Sequence, residues 1–270
     1  MANLIESKIA TPAGKISVLR GGAGDPLVYF HSAAGEAVHA ALEDLADDHD
    51  VIVPLFPGFG ESEGIENIDG IEDAAFHLLD VFDALGLTAP GVIGLSLGGW
   101  LAAELATRSP QRIGNLVLVS PVGLYIDGSP VGQIFGRSPA ELAEDLFADQ
   151  GHPMAQMMHA LSEKMGDLMS MAEVPIAILL PMWASMSATA KIGWNPYLHN
   201  PKLGQRLRRV SAPTLVVAGE KDRLLPRAHP EAYAAGIPGA RLEVLEEAGH
   251  MAPLERPVEF AALVRDFLGR

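Results

Sequence analysis

Ser96 is flanked by glycine two residues away on each side, in Gly94-Leu95-Ser96-Leu97-Gly98. The pentapeptide lies between an apolar run, Pro90 to Leu95, and a helix-like segment, Gly98 to Arg108. At a strand-to-helix junction this spacing can force a tight turn that lifts the serine hydroxyl out of the backbone. The flanking glycines suit a strained turn in which strand and helix approach closely. With 28 glycines among 270 residues, about 0.15 chance matches are expected in a chain of this composition, so its surroundings must carry the reading. They do. Val92-Ile93 continue a buried strand before it, and Trp100, Leu101 and Leu105, with Ala102, Ala103 and Ala106, read as a helix packed on a sheet. Ser96 is therefore a candidate nucleophile.

A neutral serine hydroxyl needs a base within hydrogen-bond reach and a third group to orient that base. Of nine histidines, His250 in Glu246-Glu247-Ala248-Gly249-His250-Met251 is the best placed, just past the last strand-like segment. Asp222, in Gly219-Glu220-Lys221-Asp222-Arg223, follows the preceding strand and is the candidate orienting acid, with Glu220 as its competitor. The chain order serine, acid, histidine is the one expected with this turn. An oxyanion would need two backbone donors. Leu97, at the helix start, offers one, and Ala33, in the loop His31-Ser32-Ala33-Ala34-Gly35, is expected to offer the other.

These residues require a scaffold of alternating strands and helices. Ile5 to Ala10 and Lys15 to Arg20 read as two edge strands around Pro12-Ala13-Gly14. Strands follow at Leu27 to His31, Val51 to Leu55, Pro90 to Leu95 and Leu116 to Ser120. Helices are predicted at Val38 to Ala46, Ile71 to Leu85 and Gly98 to Arg108. This alternation argues for an α/β fold with a mostly parallel sheet and helices on both faces.

The pattern breaks from about Gly123 to Arg209, where no strand is expected. Ser138-Pro139-Ala140-Glu141 is a helix start. Met154, Met157, Met158, Leu161, Met165, Leu168 and Met169 recur at helical spacing. Ile176 to Ala190 reads as a helix split at Pro181, and Lys202 to Arg209 as another. The alternation resumes with strands at Pro213 to Ala218 and Arg241 to Leu245, and helices at Arg227 to Ala235 and Pro257 to Leu268. The expected division is a core over 1–122, a helical cap over 123–209, and the rest of the core over 210–270.

Composition narrows the partners. The formal net charge of -15 disfavours nucleic acid and anionic membrane surfaces. The absence of cysteine removes disulfides, thiolate metal sites and cysteine nucleophiles. The first ten residues lack the pattern of a secretory signal, and Pro175 and Pro181 interrupt the longest apolar run. The expectation is a cytoplasmic protein with a small-molecule substrate, no membrane partner and no metal; a homodimer is compatible with it.

The chain resembles the α/β-hydrolase superfamily, in the branch with a helical cap. The resemblance rests on Phe30-His31 and the loop to Gly35, on Phe56-Pro57-Gly58-Phe59-Gly60-Glu61-Ser62, on Gly94 to Gly99, on Pro213 to Asp222, and on Ala248-Gly249-His250 with Pro253 to Pro257. It implies an eight-stranded sheet, a Ser96-Asp222-His250 triad and no cofactor. Many relatives carry His-Gly where this chain has His31-Ser32, and serine adopts glycine-only angles at a cost. Ser32 is expected to hydrogen-bond within its own turn, with a role in the pocket as the alternative.

Eight of the ten methionines lie between Met154 and Met186, together with Trp183. Flexible thioethers suit an adaptable apolar site, although many of these residues must pack the cap itself. Ser32, Trp100, Met158, Trp183, Met186 and Met251 are the expected pocket residues. The expected chemistry is hydrolysis of carboxylic esters of apolar or aromatic small molecules. Carbon-carbon bond hydrolysis of the meta-cleavage-product type is the alternative, though those enzymes tend to carry asparagine at Leu95 and tryptophan at Met251. A non-hydrolytic binding protein, or a cofactor-free lyase or oxygenase, is the alternative of another class.

Overall fold

The computed structural model describes residues 4–36, 38–166 and 172–269. Its centre is one eight-stranded sheet in the order β1-β2-β4-β3-β5-β6-β7-β8. The strands are β1 (Ile5–Thr11), β2 (Gly14–Gly21), β3 (Asp25–Phe30), β4 (His49–Pro54), β5 (Gly91–Leu95), β6 (Asn115–Val119), β7 (Thr214–Gly219) and β8 (Arg241–Leu245). β2 runs antiparallel to both neighbours, β1 and β4, and every other pairing is parallel. β1 is an edge strand as expected, but β2 is an inner strand, because β4 closes its other side.

The central strands are apolar along their length because both faces are covered. In β3, Leu27 and Tyr29 point into one apolar cluster, and Val28 and Phe30 into the other. β6 splits the same way, with Leu116 and Leu118 on one side and Val117 and Val119 on the other. The first face is covered by α2 (Ile71–Ala84) and α3 (Leu97–Arg108). The second is covered by α1 (Ala40–Leu45) and the C-terminal α10 (Pro257–Leu268), which pack on each other.

Between β6 and β7 the chain forms a helical insertion. α4 (Pro139–Leu146) begins with a capping box: Ser138 Oγ accepts the Glu141 N–H, and a Glu141 carboxylate oxygen accepts the Ser138 N–H at 2.8 Å. Such a cap stabilises a helix by about 1 kcal/mol. α5 (Pro153–Met165) carries Met154, Met157, Met158, Leu161 and Met165; Leu168 and Met169 lie outside the described residues. α6 (Ile176–Gly193) is continuous through Pro181, contrary to the expected split. The N–H that proline lacks would have bonded the Ala177 carbonyl, and Ala177 is exposed, so water can satisfy the freed oxygen. By length and composition α6 is also apolar enough to cross a membrane, and 28% of it is buried. α7 (Leu203–Arg206) and a 3-10 turn, Leu207–Arg209, lead back to the sheet. The remaining helices are α8 (Ala228–Gly236) and α9 (Ala252–Glu255).

The insertion leaves and rejoins the core at neighbouring points. The Gly123 N–H donates to Leu198 O at 2.9 Å, and the Asn200 N–H donates to Gly123 O at 2.9 Å. Its own packing is continuous with the core, since Ala188, Ile192 and Leu198 belong to the same apolar cluster as α2 and α3.

Candidate active site

Ser96 occupies the single residue between β5 and α3, with φ 54° and ψ −109°. A positive φ is strained for a non-glycine residue, at about 1–3 kcal/mol, and persists only where the surroundings enforce it. The neighbouring glycines permit it. A Cβ on Gly98 would lie 2.1 Å from Phe30 O and 2.7 Å from His31 O, and one on Gly94 would lie 2.4 Å from Gly98 O. The spacing is thus a steric requirement of packing α3 against the ends of β3 and β5. Backbone bonds lock the turn: the Ser96 N–H donates to Val119 O, and the Trp100 and Val122 N–H groups donate to Ser96 O.

The chain leaves β5, β7 and β8 at the same edge of the sheet, because these strands are parallel. Ser96, Asp222 and His250 therefore all stand beyond that edge. His250 Nδ1 lies 2.8 Å from Asp222 Oδ2, and both side chains are buried. The other carboxylate oxygen, Oδ1, accepts the N–H groups of Leu224 at 3.0 Å and Leu225 at 2.8 Å. A carboxylate only accepts hydrogen bonds, so Asp222 fixes the tautomer with the proton on Nδ1 and leaves Nε2 basic. Nε2 is buried and has no hydrogen-bond partner among the described residues, Ser96 included. Such bonds are often long in unliganded enzymes and tighten with substrate. Glu220 instead accepts the Glu247 N–H at 3.0 Å.

The loop after β3 is built around His31 and Ser32. His31 Nδ1 donates to Ser32 O at 2.8 Å, Nε2 accepts the Phe56 N–H at 3.0 Å, and the ring lies between Phe56 and Phe59. Only a neutral imidazole can both donate and accept in this way. Burial lowers its pKa to about 4, partly opposed by the bond to Ser32. The Ser32 backbone stays out of the left-handed region, which is taken by Gly35 at φ 76°, so glycine is not required at position 32. The Ser32 hydroxyl donates to Glu36 and accepts the Ala34 N–H at 3.0 Å. It thus serves its own turn rather than a pocket. The Ala33 N–H has no acceptor among the described residues. The Leu97 N–H, at the start of α3, has no intrahelical partner.

Glu36 was not singled out from the sequence. Its buried carboxylate accepts the Ser32 N–H at 2.7 Å, the Ser32 hydroxyl and the Tyr29 hydroxyl at 3.0 Å. Burial raises its pKa, and these bonds oppose the rise. The available signal was the pairing of an unusual serine with an acid four residues on.

The other expected pocket residues are dispersed. Trp100 is buried in the core on α3, its Nε1–H donating to Glu104 at 3.1 Å. Met251 is equally buried, in the cluster beneath α1 and α10. Met158 packs half-buried on that same cluster. On α6, Met186 is half-buried and Trp183 is 45% exposed. α6 also passes over the loop after β3, where a Cβ on Gly35 would lie 3.7 Å from Ser185 Oγ. Trp100 lines a surface cavity of about 400 Å³ with Arg108, Lys191 and Asn200, and none of Ser96, Asp222 and His250 borders it. Among the described residues no cluster of side chains could hold a metal ion.

The sheet order, the strained serine turn and the insertion after β6 define an α/β-hydrolase fold. Residues 25–257 match the family model of the alpha/beta hydrolase fold, and the chain belongs to that family. It is 32% identical over 258 residues to the dihydrolipoyllysine-residue acetyltransferase component of the acetoin cleaving system of Cupriavidus necator. That match covers 93% of this chain and 65% of the relative, so the chain spans under two thirds of that protein's length. It is 29% identical to 2-hydroxymuconate semialdehyde hydrolase of Pseudomonas sp., covering 92% of this chain and 88% of the relative. Among solved structures, 2-hydroxy-6-oxo-6-phenylhexa-2,4-dienoate hydrolase from Rhodococcus sp. superposes with a TM-score of 0.78 at 23% identity, covering 100% of both chains.

Proposed function

We propose that this protein is a serine hydrolase that cleaves carboxylic esters of apolar or aromatic small molecules through an acyl-enzyme. One observation carries the reading. His250 is held by Asp222 with Nε2 buried and unpartnered, at the sheet edge where Ser96 is forced into a strained turn.

Nε2 takes the Ser96 proton as Oγ bonds to the substrate carbonyl carbon. The carbonyl electron pair moves onto oxygen, which the Leu97 and Ala33 N–H groups stabilise; one such donor is worth about 10²–10³-fold in kcat. Collapse breaks the bond to the leaving alkoxide, which takes the proton from His250. Water then attacks the acyl carbon, again giving a proton to Nε2, and the acid departs as Ser96 regains its hydrogen. The helical insertion acts as the cap. The apolar residues of α6, including exposed Ile178, Leu180 and Trp183, suit apolar substrates.

Likeness to 2-hydroxymuconate semialdehyde hydrolase over 92% of the chain favours carbon-carbon bond hydrolysis as the second reading. Leu95 and Met251, in place of the asparagine and tryptophan usual there, weigh against it.

Fluorophosphonate labelling reads the nucleophile directly. Covalent modification of Ser96, absent from Ser96→Ala, is expected, and a wild type that resists labelling overturns the serine-hydrolase reading. Turnover of short and long esters, lactones and a ring-cleavage diketone, with Ser96→Ala as blank, then separates the two readings.

A further inference from the structure

The carboxylate of Glu255, at the end of α9, joins two parts of the chain that are distant in sequence. Oε2 accepts the Gly249 N–H at 2.6 Å, next to His250. Oε1 accepts the N–H groups of Ala148 at 2.8 Å and Asp149 at 2.9 Å, just past α4 of the insertion. No cation pairs with Glu255 among the described residues, so its ligands are three backbone amides.

Other contacts run in parallel. The Met251 N–H, on the other side of His250, donates to Leu146 O at 3.1 Å. The Arg223 guanidinium, next to Asp222, donates to Glu144 O at 2.9 Å. Gly249 allows the close approach, since a Cβ there would lie 2.7 Å from Ala148 N and 2.8 Å from Leu146 O. Residues 144–149 thus contact the loops of both the base and its orienting acid. These bonds concern neither Ser96 nor the oxyanion donors.

We infer that Glu255 is a positioning residue, a latch that holds the His250 loop to the start of the helical insertion. Through it, the placement of the insertion and the aim of the imidazole become one variable. The inference builds on the proposed triad. Charge-assisted bonds from backbone amides to a carboxylate are strong and directional. Glutamine at this position keeps the shape but offers one acceptor oxygen and turns an N–H₂ toward an amide donor. It therefore releases either Gly249 or the Ala148–Asp149 pair. A displacement of about 1 Å at a catalytic group costs about 10²-fold in rate.

The test compares wild type with Glu255→Gln in two readouts. The first is the His250 Nδ1–H proton resonance, which needs no substrate and reports the Asp222 bond directly. The second is the fluorophosphonate labelling rate at Ser96. In the variant the resonance is expected to shift or broaden, and labelling to slow by about 10- to 100-fold with little change in melting temperature. A variant with wild-type resonance and labelling rate overturns the latch. A wild type that never labels overturns the hydrolase reading alone, leaving the resonance to decide on Glu255. Should Glu255→Gln fail to fold, hydrogen exchange in the wild type decides. The Ala148, Asp149 and Gly249 amides are expected to exchange together, and rapid exchange of the first two beside a protected Gly249 overturns the proposal.

Discussion

Ser32 and Glu36 close a five-residue loop on themselves: the Ser32 hydroxyl donates to Glu36 Oε2 at 2.5 Å, and the Ser32 N–H donates to Oε1 at 2.7 Å. Ala33, the proposed second oxyanion donor, lies inside that loop. Its orientation is therefore set by a buried acid that never needs to touch substrate.

Replacement of Glu36 by glutamine is expected to loosen this loop, because three donors then share a single acceptor oxygen. A buried donor left unpaired costs about 1–3 kcal/mol. The expected kinetic signature is a fall in kcat of about tenfold or more with KM nearly unchanged, since the oxyanion donor acts mainly in the transition state. Steady-state kinetics with thermal melts check it. A raised KM at constant kcat counts against the role.

Asp222 and Glu220 can be told apart by their amides. Asp222→Asn permits the imidazole to flip to the other tautomer, and kcat is expected to fall by about 10⁴-fold while the fold survives. Glu220→Gln, which alters a bond to the Glu247 N–H, should leave kcat within about twofold. Rates for both variants on one reactive ester provide the comparison.

His31 makes a prediction about acid stability. Its ordinary value near 6.5 is lowered to about 4 by burial, so below pH 6.5 the unfolded chain takes up the proton first. Its stabilising effect is complete above pH 6.5 and is lost as pH falls toward 4, a change of roughly 3 kcal/mol. Glu36, raised by burial, titrates with the opposite sign from its ordinary value of 4.5 upward. Urea melts of wild type and His31→Asn between pH 7 and 5 isolate the histidine. The variant should be less stable at pH 7 and lose less stability on acidification; equal slopes would remove His31 as the cause.

The parallel sheet and the strained serine turn were legible because each repeats a local rule. Alternation of apolar strands with amphipathic helices survives any detail of packing, and Gly94 and Gly98 leave room that side chains would fill. The Asp222–His250 contact followed from chain order at neighbouring strand ends. Glu36 and Glu255 were not legible, because a carboxylate that binds backbone amides has no periodicity; its role depends on which loops the fold brings to it. The sequence reads as a split at Pro181, whereas α6 runs through it because Ala177, whose carbonyl loses its partner, is an exposed residue that water can reach. β2 read as an edge strand because sequence order says nothing about which strand will lie beside it. Trp100 and Met251 read as pocket residues by position, and both are buried within the apolar clusters.

The paired bonds of Gly123 with Leu198 and Asn200 bring two points of the chain 75 and more residues apart onto one rung. Departure and return are a single hydrogen-bonded rung apart, so a short turn could bridge them without disturbing the strand order. A segment whose ends meet at one rung can vary in length and sequence without altering the strand order, with Ser96 before it and Asp222 and His250 after it.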